Sequence, residues 1–243
     1  LGYDLILVAR DMDGLIKVKN QISTDVQVFD FDLSNVDNCF KLFDVCKDEK
    51  IDVVINNAGY GIFGDYEDDN LLDEMNMIDL NVKSVHILTK LFVNSIHVKY
   101  IMNVSSSAGL MKGGPLMSSY YATKSYVCSY SFALYEELRR NKSDKKISVL
   151  CPGPVDTGFN KRANVKFNLK SLDARYVARY AIDNMFKDKL KELREKKGLS
   201  QQELADKLFV SRSAVAKWEN GNGIPSDVNL DGICLLFEVS KEE

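Results

Sequence analysis

Ile51-Asp52-Val53-Val54-Ile55, running straight into Asn56-Asn57-Ala58-Gly59, decides the fold. The first five residues are a short apolar run, closed by a turn that carries a glycine. Such a run reads as a strand buried on both faces, the habit of parallel sheets. Comparable runs flank it: Asp4-Leu5-Ile6-Leu7-Val8-Ala9, Val26-Gln27-Val28-Phe29, Tyr100-Ile101-Met102-Asn103-Val104 and Ile147-Ser148-Val149-Leu150-Cys151. Between them apolar residues recur at helical spacing over Val36 to Cys46, over Leu71 to Ile96 (broken or continuous) and over Ser119 to Arg140. Strand alternating with helix predicts an α/β fold with a doubly wound parallel sheet. No internal repeat or low-complexity tract interrupts it.

The chain has 243 residues, 45% of them hydrophobic, enough for a sizeable core in one or two domains. A net charge of −3 excludes a generally basic coat for nucleic acid but not a local basic face. The apolar runs are too short for a transmembrane helix, and no signal peptide opens the chain. Five cysteines (Cys39, Cys46, Cys128, Cys151 and Cys234) show no CxxC pairing, which suits buried thiols in a reducing cytoplasm. His86 and His97 have no cysteine at ligand spacing, so no metal site is expected. A cytoplasmic protein with no membrane partner is the expectation.

Near residue 187 the pattern becomes helical only. Asp173 to Lys197 reads as one helix or two abutting ones, with Gly198 a plausible C-terminal cap. Ser200-Gln201-Gln202-Glu203 has the form of a capping box, so a helix starts there, with Leu204, Ala205 and Leu208 on its apolar face. Ser211 is the next N-cap, with Val215 and Trp218 behind it, and Asn220-Gly221 ends that helix. Pro225 opens a last segment with Leu230, Ile233, Leu236 and Phe237 as core. The expected division is residues 1–186 and residues 187–243, although no polar linker separates them.

Four stretches carry chemistry. Asn56-Asn57-Ala58-Gly59 ends one strand, and Asn103-Val104-Ser105-Ser106-Ser107-Ala108-Gly109 ends the next. Tyr120-Tyr121-Ala122-Thr123-Lys124 and Pro152-Gly153-Pro154-Val155-Asp156-Thr157 follow. Tyr120 and Lys124 stand one helical turn apart on one face. An ammonium nearby stabilises a tyrosinate, so the Tyr120 pKa is expected to fall from about 10 toward neutrality, suiting a general acid/base.

In this order, each beside a strand, the four stretches resemble the short-chain dehydrogenase/reductase family over roughly residues 1–186. The resemblance implies a Rossmann-like fold and a small carbonyl or alcohol substrate. It implies that Lys124 also holds the nicotinamide ribose, that a serine polarises the substrate carbonyl, and that Asn81 holds a water in a proton relay. The S-S-x-A-G frame points to Ser106, whereas the usual thirteen-residue separation before the tyrosine points to Ser107; Ser106 is favoured. Ser105 best fits a strand-end serine that caps the next turn. Arg10 stands where an acidic residue would meet a ribose 2′-OH, which suits a 2′-phosphate and favours NADP over NAD. Asp32-Leu33 resembles the pair that contacts the adenine. Asn57, Ala58, Gly59, Pro152, Gly153, Val155 and Thr157 complete the implied cofactor site. Cys151 reads as a buried strand thiol.

The family's glycine-rich phosphate loop has no counterpart here. The chain opens on Leu1, at what resembles the family's second strand, and turns into the helical region where a last strand is due. The expectation is a sheet missing its first and last strands, with two exposed hydrogen-bonding edges and weak or absent cofactor binding.

Leu199 to Ala205 and Val210 to Gly221 resemble the helix-turn-helix of the Cro/phage-repressor (XRE-like) family. The resemblance implies a second helix against the DNA backbone and a third in the major groove. Arg212, Ser213, Ala216 and Lys217 share one face of that third helix, opposite Val215 and Trp218. Arg212 is the candidate reader of guanine, and Gln201 and Ser211 are candidate phosphate contacts. Between Lys187 and Lys217 nine Lys/Arg face five Asp/Glu. Acidic residues of the tail (Asp227, Asp231, Glu238, Glu242 and Glu243) cancel that excess. Phe209 stands at the turn, where glycine or asparagine would tolerate a positive φ more easily. The last helix reads as shortened after Val239-Ser240.

Three readings follow. The first is an NADP-dependent oxidoreductase resting on Asn81, Ser106, Tyr120 and Lys124, pairing through the helices that carry Asn81 and Tyr120 as the resemblance implies. The second is a regulator binding double-stranded DNA as a dimer. The third is a chimeric gene fragment without activity of its own.

Overall fold

A computed structural model describes residues 2–67, 70–159, 163, 171–220, 223 and 225–239, and leaves out the side chains of 186–189 and 227. The element order is β1 (Leu5–Val8), α1 (Met12–Lys19), β2 (Val26–Phe29), α2 (Val36–Cys46), β3 (Val53–Asn56) and α3 (Leu71–Ile78). A π-helical stretch, Asp79–Ser84, joins α3 to α4 (Val85–Val93). Then come β4 (Tyr100–Val104), a 3-10 turn (Ser107–Leu110), α5 (Ser118–Arg140), β5 (Lys146–Leu150) and α6 (Ala174–Lys196). Three short helices follow: α7 (Gln201–Lys207), α8 (Arg212–Glu219) and α9 (Asp227–Phe237). The expected α/β fold with a small all-helical C-terminal region is the one observed.

The strands form two sheets, β1-β2 and β3-β4-β5. β4 pairs in parallel with both neighbours, Val53 opposite Tyr100 on one side and Tyr100 opposite Lys146 on the other. Among the described residues no ladder joins β1 to β3, so each presents an open edge, as the sequence predicts. Ile55 of β3 is 44% exposed, although its run reads as buried. The third strand also sits later than the apolar run suggests: Ile51 and Asp52 precede it and Asn56 ends it.

α2 shows how the helices dock. Asn35 caps it, accepting from the Asp37 amide at 2.9 Å, and Cys39, Leu42 and Cys46 fall on one buried face. That face joins a core with Met77, Leu88, Phe92, Val98 and Ile101. The run from Leu71 is one continuous helical path whose register changes at the π stretch, where Leu80, Asn81 and Ser84 are buried.

The chain divides into a unit made of 1–5, 22–26 and 178–243 and one made of 6–21 and 27–177. In the first, Leu204, Ala205, Leu208, Val215, Trp218, Ile233 and Phe237 form the core, as expected of them; Leu236 packs half-buried against it and Leu230 is half-buried. Asp173 to Lys197 proves to be one helix, α6, closed by Gly198 at φ +69°. Ser200 and Glu203 make the capping box, and Ser211 caps α8. Phe209 does take a positive φ, 55°, and stands 96% exposed. Arg194 and Glu219 form a buried ion pair at 2.6 Å. Gly221, Ser240, Glu242 and Glu243 lie outside the described residues, as does the side chain of Asp227.

Candidate functional site

The carboxyl ends of β3, β4 and β5 and the first turns of α5 bring the motif residues together. Tyr120 and Lys124 are both buried on α5, at 8% and 5% exposure. Ser106 acts on the Tyr120 phenol in the sense that lowers its pKa, while its hydroxyl donates to the Pro152 carbonyl at 3.5 Å. Lys124 Nζ donates to the Val104 carbonyl at 2.9 Å and lies 5.9 Å from the centre of the Tyr120 ring. An ammonium has three N–H donors, so among the described residues two are left without an acceptor and can serve a ligand.

Asn81 lies beneath, fully buried in the π stretch. Its Oδ1 accepts from the Tyr60 amide at 3.1 Å. Its Nδ2 donates to the Tyr60 carbonyl at 2.8 Å and to Thr123 Oγ1 at 3.1 Å. Both amide donors are thus spent on protein, leaving one lone pair on Oδ1. The side chain pins the turn after Asn56-Asn57-Ala58-Gly59. A Cβ at Gly59 would come within 2.9 Å of Asn81 Oδ1 and 3.3 Å of Lys124 Nζ, so a larger residue there would displace both side chains.

The Tyr120 pKa is a correction. Burial pushes the phenol up, and the hydrogen bond from Ser106 only partly offsets it. The expected fall toward neutrality does not occur, because the Lys124 ammonium is turned to the Val104 carbonyl and the ring is desolvated. Burial acts on Lys124 in the other sense and lowers it to about 8, against opposition from Cys128 and Cys151.

The serines need a second correction. Ser105 does not cap the next turn; its hydroxyl donates to the Lys124 carbonyl at 2.7 Å. Ser106 caps it instead, accepting from the Ala108 amide at 3.2 Å. Ser107 opens the 3-10 turn.

On the cofactor side, Asn57 and Ala58 are exposed and Gly59 half-buried at the end of β3. Pro152, Gly153 and Val155 are half-buried after β5, and the Thr157 hydroxyl accepts from the Phe159 amide at 3.2 Å. Arg10 follows β1 and meets Asp32 at 3.5 Å, both side chains partly exposed. Burial opposes ionisation of Asp32, but the Ser34 hydrogen bonds and the Arg10 guanidinium outweigh it and hold its carboxyl below the usual range. Leu33 is buried in the core. The segment Phe159 to Lys170, expected over the substrate, lies outside the described residues apart from Phe159 and Ala163. The Phe159 ring packs 5.5 Å from that of Tyr120.

Sequence reading missed Thr123, whose hydroxyl donates to the Tyr120 carbonyl at 2.8 Å while accepting from Asn81. It also missed a buried network: Asn56 Nδ2 to Asn103 Oδ1 at 2.8 Å, Thr89 Oγ1 to Asn103 Oδ1 at 3.0 Å, and Asn103 Nδ2 to Ser131 Oγ at 3.0 Å. An asparagine at the last position of β3 and at the next-to-last position of β4 was the available signal.

In the helical unit, Arg212, Ser213 and Lys217 are exposed on α8 with Ala216 half-buried between them, opposite buried Val215 and Trp218. Ser211 Oγ accepts from the Ala214 amide at 3.2 Å. Gln201 Nε2 donates to Glu219 at 2.9 Å, so its amide is already engaged.

Comparison with known proteins gives these features a context. A family model described as helix-turn-helix matches residues 190–243. The chain is 45% identical over 58 residues to the HTH-type transcriptional activator BcrR of Enterococcus faecalis, a stretch that is 24% of this chain and 28% of that protein. It is 28% identical over 183 residues to an uncharacterized oxidoreductase of Staphylococcus epidermidis, covering 73% of this chain and 77% of that one. A similar match to rat 17-beta-hydroxysteroid dehydrogenase type 3, also 28% identical, covers 71% of this chain and 58% of that enzyme. Among solved structures, a short-chain dehydrogenase from Sphingobium yanoikuyae in complex with NADPH superposes with a TM-score of 0.64 at 24% identity. That match spans 74% of this chain and 73% of that one, and it speaks for the fold. The short chain dehydrogenase family model matches residues 1–167, well over half of the chain and every strand described above. With its motif residues gathered at the carboxyl ends of a Rossmann-like sheet, this chain belongs to the short-chain dehydrogenase family and carries a helix-turn-helix after it.

Proposed function

We propose that residues 1–186 form an NADP(H)-dependent oxidoreductase domain that interconverts a small carbonyl compound and its alcohol, and that residues 187–243 form a DNA-reading domain. The observation that carries the first reading is the convergence of Ser106, Tyr120 and Lys124. The Tyr120 hydroxyl exchanges a proton with the substrate oxygen, and the Ser106 hydroxyl hydrogen-bonds that oxygen. A phenol that burial keeps protonated is ready to act as the acid in carbonyl reduction. Lys124 would hold the ribose hydroxyls with N–H donors other than the one given to the Val104 carbonyl. The donor set therefore fits a nicotinamide riboside, and Arg10, which among the described residues meets Asp32 at 3.5 Å, supports a 2′-phosphate. The cofactor, when bound, supplies the hydride. Asn81 fixes, through the Tyr60 backbone, the turn that would flank the cofactor.

The test is an NADPH fluorescence titration, with circular dichroism to establish folding, followed by NADPH oxidation across aldehydes and ketones. Saturable binding and a turnover abolished by Tyr120→Phe are expected. A folded sample that neither binds NADPH nor turns over any carbonyl compound sinks the enzyme reading.

The exposed Arg212, Ser213 and Lys217 face supports DNA binding as a second activity. Arg212 would meet base edges, Lys217 and Ser211 phosphates. A dimer on a pseudo-palindromic site is the expected form. Binding that does not distinguish selected from random duplexes refutes it.

A further inference from the structure

Below Lys124 lie two thiols that the proposed chemistry does not use. Cys128 is one turn further along α5, and Cys151 directly follows β5. Their Sγ atoms are 3.4 Å apart. A hydrogen-bond chain fixes their order. The Ser105 hydroxyl gives its proton to the Lys124 carbonyl at 2.7 Å. Cys128 Sγ therefore donates to Ser105 Oγ at 3.2 Å, and Cys151 donates to Cys128. Each thiol is held in place, and neither faces a third cysteine among the contacts described.

We propose that Cys128 and Cys151 form a reversible dithiol/disulfide couple that ties α5 to the end of β5 one turn beneath Lys124. The two sulfurs stand just over an ångström beyond bonding separation, about 2.0 Å in a disulfide. Hydrogen peroxide is the oxidant. Cys151 is half-buried and Cys128 buried, so Cys151 meets the peroxide first. Its sulfur takes one peroxide oxygen to become a sulfenic acid, with release of water. The Cys128 sulfur then attacks the Cys151 sulfur and the S–O bond breaks. The sulfenic oxygen leaves as a second water with the Cys128 proton. Two thiols and one peroxide give one disulfide and two waters, and a dithiol reductant reverses the change.

The bond would take away the thiol that Cys128 offers Ser105, and Ser105 is what grips the carbonyl of Lys124. The consequence for cofactor binding rests on the oxidoreductase reading; the bond itself does not. Burial, and then the Cys128 contact, push the Cys151 thiol up to about 12. The thiolate is therefore scarce at neutral pH, and bridging should be slow and quicken as pH rises.

The experiment reads the bond directly in the full chain. Folded protein is treated with hydrogen peroxide, unfolded in the presence of an alkylating agent, digested without reductant and analysed by mass spectrometry. The expected result is a cross-linked peptide pair containing Cys128 and Cys151, two hydrogens lighter than the sum of the free peptides. Dithiothreitol should abolish it, and the yield at fixed time should rise about tenfold per pH unit from pH 7 to 9. Cys39→Ala should leave the link in place. In Cys128→Ala, Cys151 should instead go on to sulfinic acid. If both thiols remain alkylatable, if Cys151 in the wild-type chain stops as a sulfenic or sulfinic acid, or if either bridges a different cysteine, the couple does not exist.

Discussion

Lys124 carries a charge that burial opposes, and this makes its protonation a handle on stability. In the unfolded chain its pKa is near 10.5; in the fold it is about 8. Between those values the unfolded state binds the extra proton, so stability rises with pH over that window. The gain is lost as pH falls through about 8, where the folded protein must bury an ammonium. Lys124→Met removes the effect and keeps most of the side-chain volume. Urea unfolding of both proteins at pH 7 and pH 9.5 should show the wild type gaining about 2 kcal/mol relative to the variant. Parallel pH dependences would mean that the lysine titrates normally. Tyr120 shows what residue types alone leave out. An ammonium one turn away argues for a lowered pKa, but the sign depends on where that ammonium points and how wet the ring is. Neither is written in a Tyr-x-x-x-Lys spacing. Ser106 took the capping role expected of Ser105 for a similar reason: three serines in a row offer the same chemistry, and the approach of α5 selects among them.

The helices were more legible than the edges of the sheet. α2 begins and ends where its apolar spacing predicts, because Asn35 caps it and Cys39, Leu42 and Cys46 face one way. α1 was not foreseen, although Asp11 accepts from the Gly14 amide at 3.1 Å in the manner of an N-cap. The π stretch at Asp79–Ser84 has no pattern of its own; it follows from the bonds that Asn81 makes to Tyr60 and Thr123. The strand edges lead to a prediction. β4 is flanked on both sides, so every one of its amides has a ladder partner in reach. β3 has a partner on one side only, and alternate N–H groups of a strand point to opposite sides. Amide hydrogen exchange should therefore show uniform protection across 100–104 and alternating protection across 53–56. Uniform slow exchange in both would mean that the open edge of β3 is covered in solution.

At the scale of the whole chain, the two families were readable because their motifs are local in sequence: Asn-Asn-Ala-Gly, Tyr-x-x-x-Lys, and the capping box leading into Val210 to Trp218. What the sequence could not reveal are pairings across distance, such as Arg10 with Asp32 or Cys128 with Cys151, which only packing creates. Charge is likewise uneven. The whole chain carries −3, whereas the segment that ends in α8 is locally basic. DNA binding, if it runs through α8, must work against the net charge and lean on a few cations. Its affinity should then fall steeply with salt, the log–log slope counting the phosphates engaged. Lys217→Gln removes one such contact from an exposed position and should flatten that slope by about 0.9. Arg212→Ala should cost more in sequence discrimination than in slope, because a guanidinium on a guanine edge specifies rather than merely attracts. Tyr120→Phe should leave the DNA isotherm unchanged while ending carbonyl turnover. Fluorescence anisotropy across a salt series, run beside the NADPH assay on the same preparations, measures all three. A Lys217→Gln slope identical to wild type would remove α8 from the DNA interface whatever the affinity.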